Sequence, residues 1–131
     1  MRLLLDTHIA LWAVTEPERL TPDTRVIITN PSNDVLVSLV AVWEIAIKRS
    51  TGRIRYDMPS LSSKDAATAF IGAYFDLFSI SFKHIELVET LPRHHGDPFD
   101  RLMVAQAQAD NLTFMTHDKQ LAAYGDFVMV V

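Results

Sequence analysis

The sequence predicts an α/β fold built on a mostly parallel sheet of about five strands flanked by helices, and three observations predict it. Five short apolar runs rich in strand-forming residues recur along the chain: Arg2–Leu5, Val35–Ser38, Leu77–Ile80, Leu112–Met115 and Phe127–Val130. Most are continuous apolar strings, the pattern of strands covered on both faces. The segments between them are long enough for helices and carry helix start and stop signals.

Those signals can be placed residue by residue. Ser38 caps a helix running to about Arg49, with Gly52 just past its end. Ser81 caps the next, which stops before Pro92. Asp97-Pro98 sets a capping carboxylate before a proline at the first helical position, and Asn111 suits the exit of that helix. Glu16–Pro22 and Arg93–Asp97 read as loops. No internal repeat or linker interrupts residues 1–131, so one domain is expected.

Composition narrows the function. The 131 residues suffice for a sizeable core, and 49% apolar with 21% charged residues excludes a disordered chain. The absence of cysteine removes disulfides, thiolate metal sites and a cysteine nucleophile, and fits a reducing cytoplasm. Asp6 interrupts the first apolar stretch well short of signal-peptide length. The longest apolar run, Val35–Ile47, contains Ser38 and Glu44 and is too short to span a bilayer, so a cytoplasmic protein with no membrane contact is expected. A net charge of −4 argues against a static nucleic-acid-binding module. It does not argue against a nuclease, whose clustered acids lower the net charge and are offset by a bound cation.

Four acids form the candidate site. Asp6 directly follows the first strand, at the end where parallel sheets bind ligands, although it can also cap the next helix. Glu44 lies in Leu39-Val40-Ala41-Val42-Trp43-Glu44-Ile45-Ala46-Ile47, a helix apolar almost all round. A buried carboxylate there needs a partner: either Lys48 at i+4 or a cation in a polar pocket. Asp100 shares an inward stripe with Val104 and Ala107, while Arg101 and Gln108 take the opposite, solvated face. Asp97 is better explained as the helix cap, close enough to support the site. Asp118 follows the fourth strand and can cap a short helix over Lys119–Tyr124. Carboxylates brought together in this way need a cation or shared protons. Oxygen-only ligands favour Mg²⁺ or Mn²⁺, and the matching chemistry is phosphodiester hydrolysis.

These residues together resemble the PIN-domain ribonucleases, and in detail the toxin subunits of VapBC toxin–antitoxin pairs. The matching segments are Leu3-Leu4-Leu5-Asp6-Thr7-His8, then Ser38 with Trp43-Glu44-Ile45-Ala46-Ile47-Lys48, then Gly52-Arg53-Ile54. They continue with Leu91-Pro92 to His95, Asp97-Pro98-Phe99-Asp100-Arg101 with Ala105-Gln106-Ala107, and Thr116-His117-Asp118. The resemblance implies a PIN-like fold, a Mg²⁺ or Mn²⁺ site, endonucleolytic RNA cleavage, a homodimer, and an antitoxin whose tail crosses the acidic site. Carried over residue by residue, the site is Asp6, Glu44, Asp100 and Asp118, with Asp97 and Thr116 in support.

Three rivals stand beside this reading. A HAD-type phosphatase also begins with a strand ending in Asp, but it needs a general acid two residues later, where this chain has His8. Histidine catalysis or a zinc site would draw on His84, His94, His95 and His117, yet no helical His pair at i, i+4 occurs among them. A non-catalytic partner-binding module would use apolar faces such as Leu11–Val14 and Phe70–Phe78. Phosphate contacts can come from Lys48, Arg49, Arg53, Arg55, Arg93 and Arg101. Lys48 and Arg93 are preferred because they neighbour Glu44 and Asp97.

Overall fold

Leu3, Leu4 and Leu5 are fully buried, and the strand they build, β1 (Arg2–Leu5), occupies the middle of a five-stranded sheet. The computed structural model describes residues 1–52 and 59–131. Within the Gly52-Arg53-Ile54 match, Arg53 and Ile54 lie outside the described residues, as does the basic candidate Arg55. The other strands are β2 (Asp34–Ser38), β3 (Asp76–Phe78), β4 (Thr113–Thr116) and β5 (Val128–Val130). Their order is β3-β2-β1-β4-β5, and every pairing is parallel. The sheet is thus wholly parallel where the sequence predicts a mostly parallel one.

Burial explains why the strands read as apolar strings. Every residue of β1 and β2 after the first is buried, whereas the edge strands β3 and β5 are three residues long and only half covered. Short edges limit unwanted pairing with other chains. The β3 ladder ends at Ser38↔Phe78, because Ser38 leaves the sheet to cap a helix; Ser79 and Ile80 therefore fall outside the strand.

Six α-helices are described: α1 (Thr7–Thr15), α2 (Pro22–Thr29), α3 (Leu39–Ser50), α4 (Ser63–Gly72), α5 (Phe82–Thr90) and α6 (Pro98–Ala109). Asp6 and Asp97 cap α1 and α6 through their side chains, and Pro98 opens α6. The expected loop Glu16–Pro22 instead holds a 3-10 turn, Pro17–Arg19, and the start of α2. At α5 the Ser81 hydroxyl makes no cap hydrogen bond; the buried His84 Nδ1 accepts the Ser81 backbone N–H at 3.0 Å instead. Asn111 ends α6 with a positive φ of 55°, as its residue type suits.

Ser38 is the hinge between sheet and site. Its hydroxyl accepts the Val40 N–H at 2.9 Å and donates to Gln106 Oε1 at 2.5 Å, while Gln106 Nε2 donates to the Ser79 carbonyl at 3.3 Å. One fully buried glutamine on α6 thereby locks the start of α3 and the exit of β3. Ser38→Ala removes a cap and strands the Gln106 amide. It is expected to cost about 2–3 kcal/mol, read from the midpoint of urea unfolding.

Candidate functional site

In an open parallel sheet the ligand crevice lies beyond the carboxyl ends of the strands where the strand order reverses. Here the chain runs outward from β1 through β2 to β3, then returns to β4 on the other side of β1. Asp6 follows β1 and Asp118 lies two residues after β4, so both acids sit at that reversal. The fully buried Thr116 joins them: its hydroxyl donates to Asp6 Oδ2 at 2.6 Å and accepts the Asp118 N–H at 3.0 Å. Asp6 Oδ1 accepts the Thr7 N–H at 2.7 Å.

Glu44 comes in from α3 and is buried. It is paired with the Lys48 ammonium, and its Oε1 accepts the Thr7 hydroxyl at 2.6 Å. Of the two partners open to Glu44 from sequence, Lys48 is thus present; both residues also line the acidic pocket. The exposed large apolar residues of α3, Leu39, Trp43 and Ile47, form a stripe at i, i+4, i+8.

Asp100 opens α6, and Asp97, one turn earlier, accepts the Phe99 and Asp100 N–H groups at 2.8 and 3.1 Å. Among the described residues no hydrogen bond reaches the Asp100 carboxylate; the nearest cationic candidate is His95 Nε2 at 3.8 Å. Burial, then the charges of Asp6, Asp97, Glu44 and Asp118, push the Asp100 carboxyl up to about 9. Burial also raises Asp6, against the hydrogen bonds from Thr116 and the Thr7 N–H.

The resulting pocket, about 320 Å³, is lined by Asp6, Glu44, Asp97, Asp100 and Asp118 together with Lys48, His95, His8, Trp12 and His117. All four acids singled out from sequence therefore converge. Arg93 is exposed and outside this lining. Arg101 is not on a solvated face: its guanidinium donates to the carbonyls of Val88, Leu91 and Pro92 and to the Tyr124 hydroxyl, so it holds the end of α5. The histidines divide. His94 packs edge-on against Tyr124, and His84 bonds Asp110 away from the pocket. Against the raising effect of burial, hydrogen bonds from Lys83 and His84 hold Asp110 below the usual carboxylate range.

His95 is the participant that sequence reasoning set aside. Its Nε2 lies 2.7 Å from Asp118 Oδ2, and donor atoms of His95, Asp100 and Asp118 fall within 4.8 Å of one another. Its sequence signals are its place two residues before the cap of α6 and at the end of the matching segment Leu91-Pro92 to His95.

Comparison with known proteins adds to this geometry. The family model for the PIN domain matches residues 3–126. Ribonuclease VapC22 of Mycobacterium tuberculosis is 27% identical over 122 residues, covering 93% of this chain and 91% of that one. VapBC2 from Rickettsia felis, bound to a DNA fragment from its promoter, is similar with a TM-score of 0.70 at 16% identity, covering 100% of this chain and 98% of its own. A toxin–antitoxin complex from Klebsiella pneumoniae is similar with a TM-score of 0.63 at 17% identity, covering 98% and 96%. VapBC-1 from nontypeable Haemophilus influenzae reaches 0.60 at 14% identity, covering 99% and 98%. At such identities the structural likenesses speak for the fold.

The raised Asp100 carboxyl has a measurable effect. Folding lifts it from an ordinary 3.8 to about 9, so the native state keeps a proton that the unfolded chain has already released. The stability from this group is fully present at about pH 4 and below, and is lost as the pH rises towards about 9. In EDTA at pH 8, Asp100→Asn is expected to melt above the wild type, by roughly 3–6 °C per kcal/mol regained. The gap should narrow at pH 5. Identical melting curves at both pH values would remove the case for a strained carboxylate.

Proposed function

The chain belongs to the PIN-domain family, and from that premise we propose that residues 1–131 form one PIN domain acting as a Mg²⁺- or Mn²⁺-dependent endoribonuclease, the toxin of a type II toxin–antitoxin pair. The observation that carries the reading is Asp100, a largely buried carboxylate facing four other acids without a hydrogen-bond donor of its own among the described residues. A small hard cation is the partner such a group lacks.

The donor set fits that ion. Asp6, Asp100 and Asp118 would hold it, with Glu44 in support, and all four offer oxygen. A divalent ion bound there supplies a water of lowered pKa and neutralises charge on the attacked phosphate. The chain's own residues do the rest. Thr116 and the Thr7 N–H fix the Asp6 carboxylate, so its rotamer is set before substrate arrives. Thr7 and Lys48 orient Glu44. Lys48 offers an ammonium to an RNA phosphate at the pocket; Arg93 is a candidate for phosphates farther along the strand.

RNA as substrate is supported by the similarity to Ribonuclease VapC22, and an antitoxin partner by the three toxin–antitoxin complexes of like fold. The exposed stripe Leu39, Trp43 and Ile47 beside the site suits partner or homodimer contact. No helix among the described residues is long and apolar enough to cross a membrane, in keeping with a cytoplasmic toxin.

Wild-type protein should cleave RNA with Mg²⁺ and stop on chelation, while Asp100→Asn should be folded and inactive. In parallel, Mn²⁺ at 100 times its dissociation constant should stabilise the wild type by about 2.7 kcal/mol and leave Asp100→Asn nearly unchanged. Undiminished cleavage by Asp100→Asn, or in EDTA, would sink the assignment. Partner binding without any cleavage in a metal-replete sample would instead support a non-catalytic module.

A further inference from the structure

The loop before α6 carries an imidazole into the carboxylate cluster. His95 is held at both ring nitrogens: Nδ1 accepts the Asp97 backbone N–H at 3.1 Å, and Nε2 lies 2.7 Å from Asp118 Oδ2. A ring nitrogen that accepts a hydrogen bond carries no proton, so the neutral ring keeps its proton on Nε2, aimed at Asp118. The other oxygen of Asp118, Oδ1, accepts the Gln120 N–H at 2.9 Å. Both carboxylate oxygens are therefore steered by donors, and the rotamer of Asp118 is over-determined.

The geometry points to His95 as a positioning residue of the proposed metal site: its Nε2–H holds Asp118 in ligating orientation while the Asp97 N–H fixes the tautomer. This inference rests on the metal-site reading above. The same Asp97 caps α6 and so sets the first turn, which carries Asp100. Ring, cap and two of the ligating carboxylates are coupled through one short segment.

The tautomer also decides what His95 does not do. To bind a cation, Nε2 must surrender its proton; the ring then either becomes an imidazolate or loses the Asp97 N–H. With Nδ1 engaged, the coordination shell stays all-oxygen, which keeps the site suited to Mg²⁺ or Mn²⁺ over the softer ions that imidazole favours. His95 Nε2 is within hydrogen-bond distance of Asp118 but 3.8 Å from Asp100, so His95 acts through Asp118.

Full-length wild type, His95→Ala and His95→Gln, titrated with Mn²⁺ and followed by electron paramagnetic resonance, test the assignment. His95→Ala should weaken Mn²⁺ binding by roughly 10–100-fold. His95→Gln, whose amide N–H can reach Asp118, should recover most of the loss. Pulsed spectra of the wild type should show no nitrogen bonded directly to the ion. Unchanged affinity in His95→Ala overturns the inference, and so does a directly bonded nitrogen in the wild type. If circular dichroism shows His95→Ala unfolded, His95→Gln and the wild-type spectrum decide alone: wild-type-like affinity with no bonded nitrogen supports the role, and affinity lost in a folded His95→Gln overturns it. Wild type that binds no Mn²⁺ overturns the metal-site reading itself, an outcome distinct from a wild type that binds and an alanine variant that binds equally well.

Discussion

Mutual repulsion among carboxylates gathered at one end of the sheet is the constraint that the neighbouring contacts answer. Asp6 is met by the Thr7 N–H and the Thr116 hydroxyl, Glu44 by Lys48 and Thr7, and Asp118 by His95 and the Gln120 N–H. Asp97 spends its charge on the α6 cap. Asp100 alone among these acids has its charge answered by no close donor in the described residues, and its carboxyl accordingly rises to about 9, burial leading and its four acidic neighbours adding. Burial raises Asp6 as well, but Asp6 has two close donors where Asp100 has none among the described residues. Like charges held in low dielectric are tolerated when a counter-charge is available.

The scaffold makes that gathering affordable by rigidity. β1 has a partner on each side, β2 and β4, so the position of Asp6 is set by two ladders at once. The Ser38–Gln106–Ser79 hydrogen-bond chain, buried at Ser38 and Gln106, ties α3 to α6, the two helices that bring Glu44 and Asp100 inward. Arg101 fastens α6 to the end of α5. Carboxylates on long flexible side chains would turn apart to relieve repulsion; these are anchored on element ends with few degrees of freedom left.

Much of this was legible in the sequence because both-face burial turns strands into apolar strings and strand ends into fixed addresses. Asp6 and Asp118 could be placed from Leu3-Leu4-Leu5 and from Phe114-Met115 alone. Helices α2 and α4 were not legible: each buries only two residues four apart, Thr24 with Ile28 and Ala66 with Phe70, a stripe too narrow to stand out. The pairing of Glu44 stayed open because i+4 spacing permits a salt bridge without requiring one. Arg101 was misplaced because α5 approaches the side of α6 that sequence periodicity assigns to solvent. His95 was passed over since its direction depends on an irregular loop and one backbone N–H, which no residue pattern encodes.

The hydrogen bond from Thr116 to Asp6 spans 110 residues. Closing so long a loop makes the central β1–β4 pairing a non-local contact, of the kind that slows folding. During synthesis, Asp6 leaves the ribosome long before the strand that completes its surroundings. A growing chain thus carries its first acid without Thr116, Asp118 or the neighbouring ladder, and has no assembled cluster. For a protein whose proposed substrate is RNA, the consequence is one of order: the acidic cluster is complete only once residues 113–118 have joined β1, long after Asp6 itself has been made.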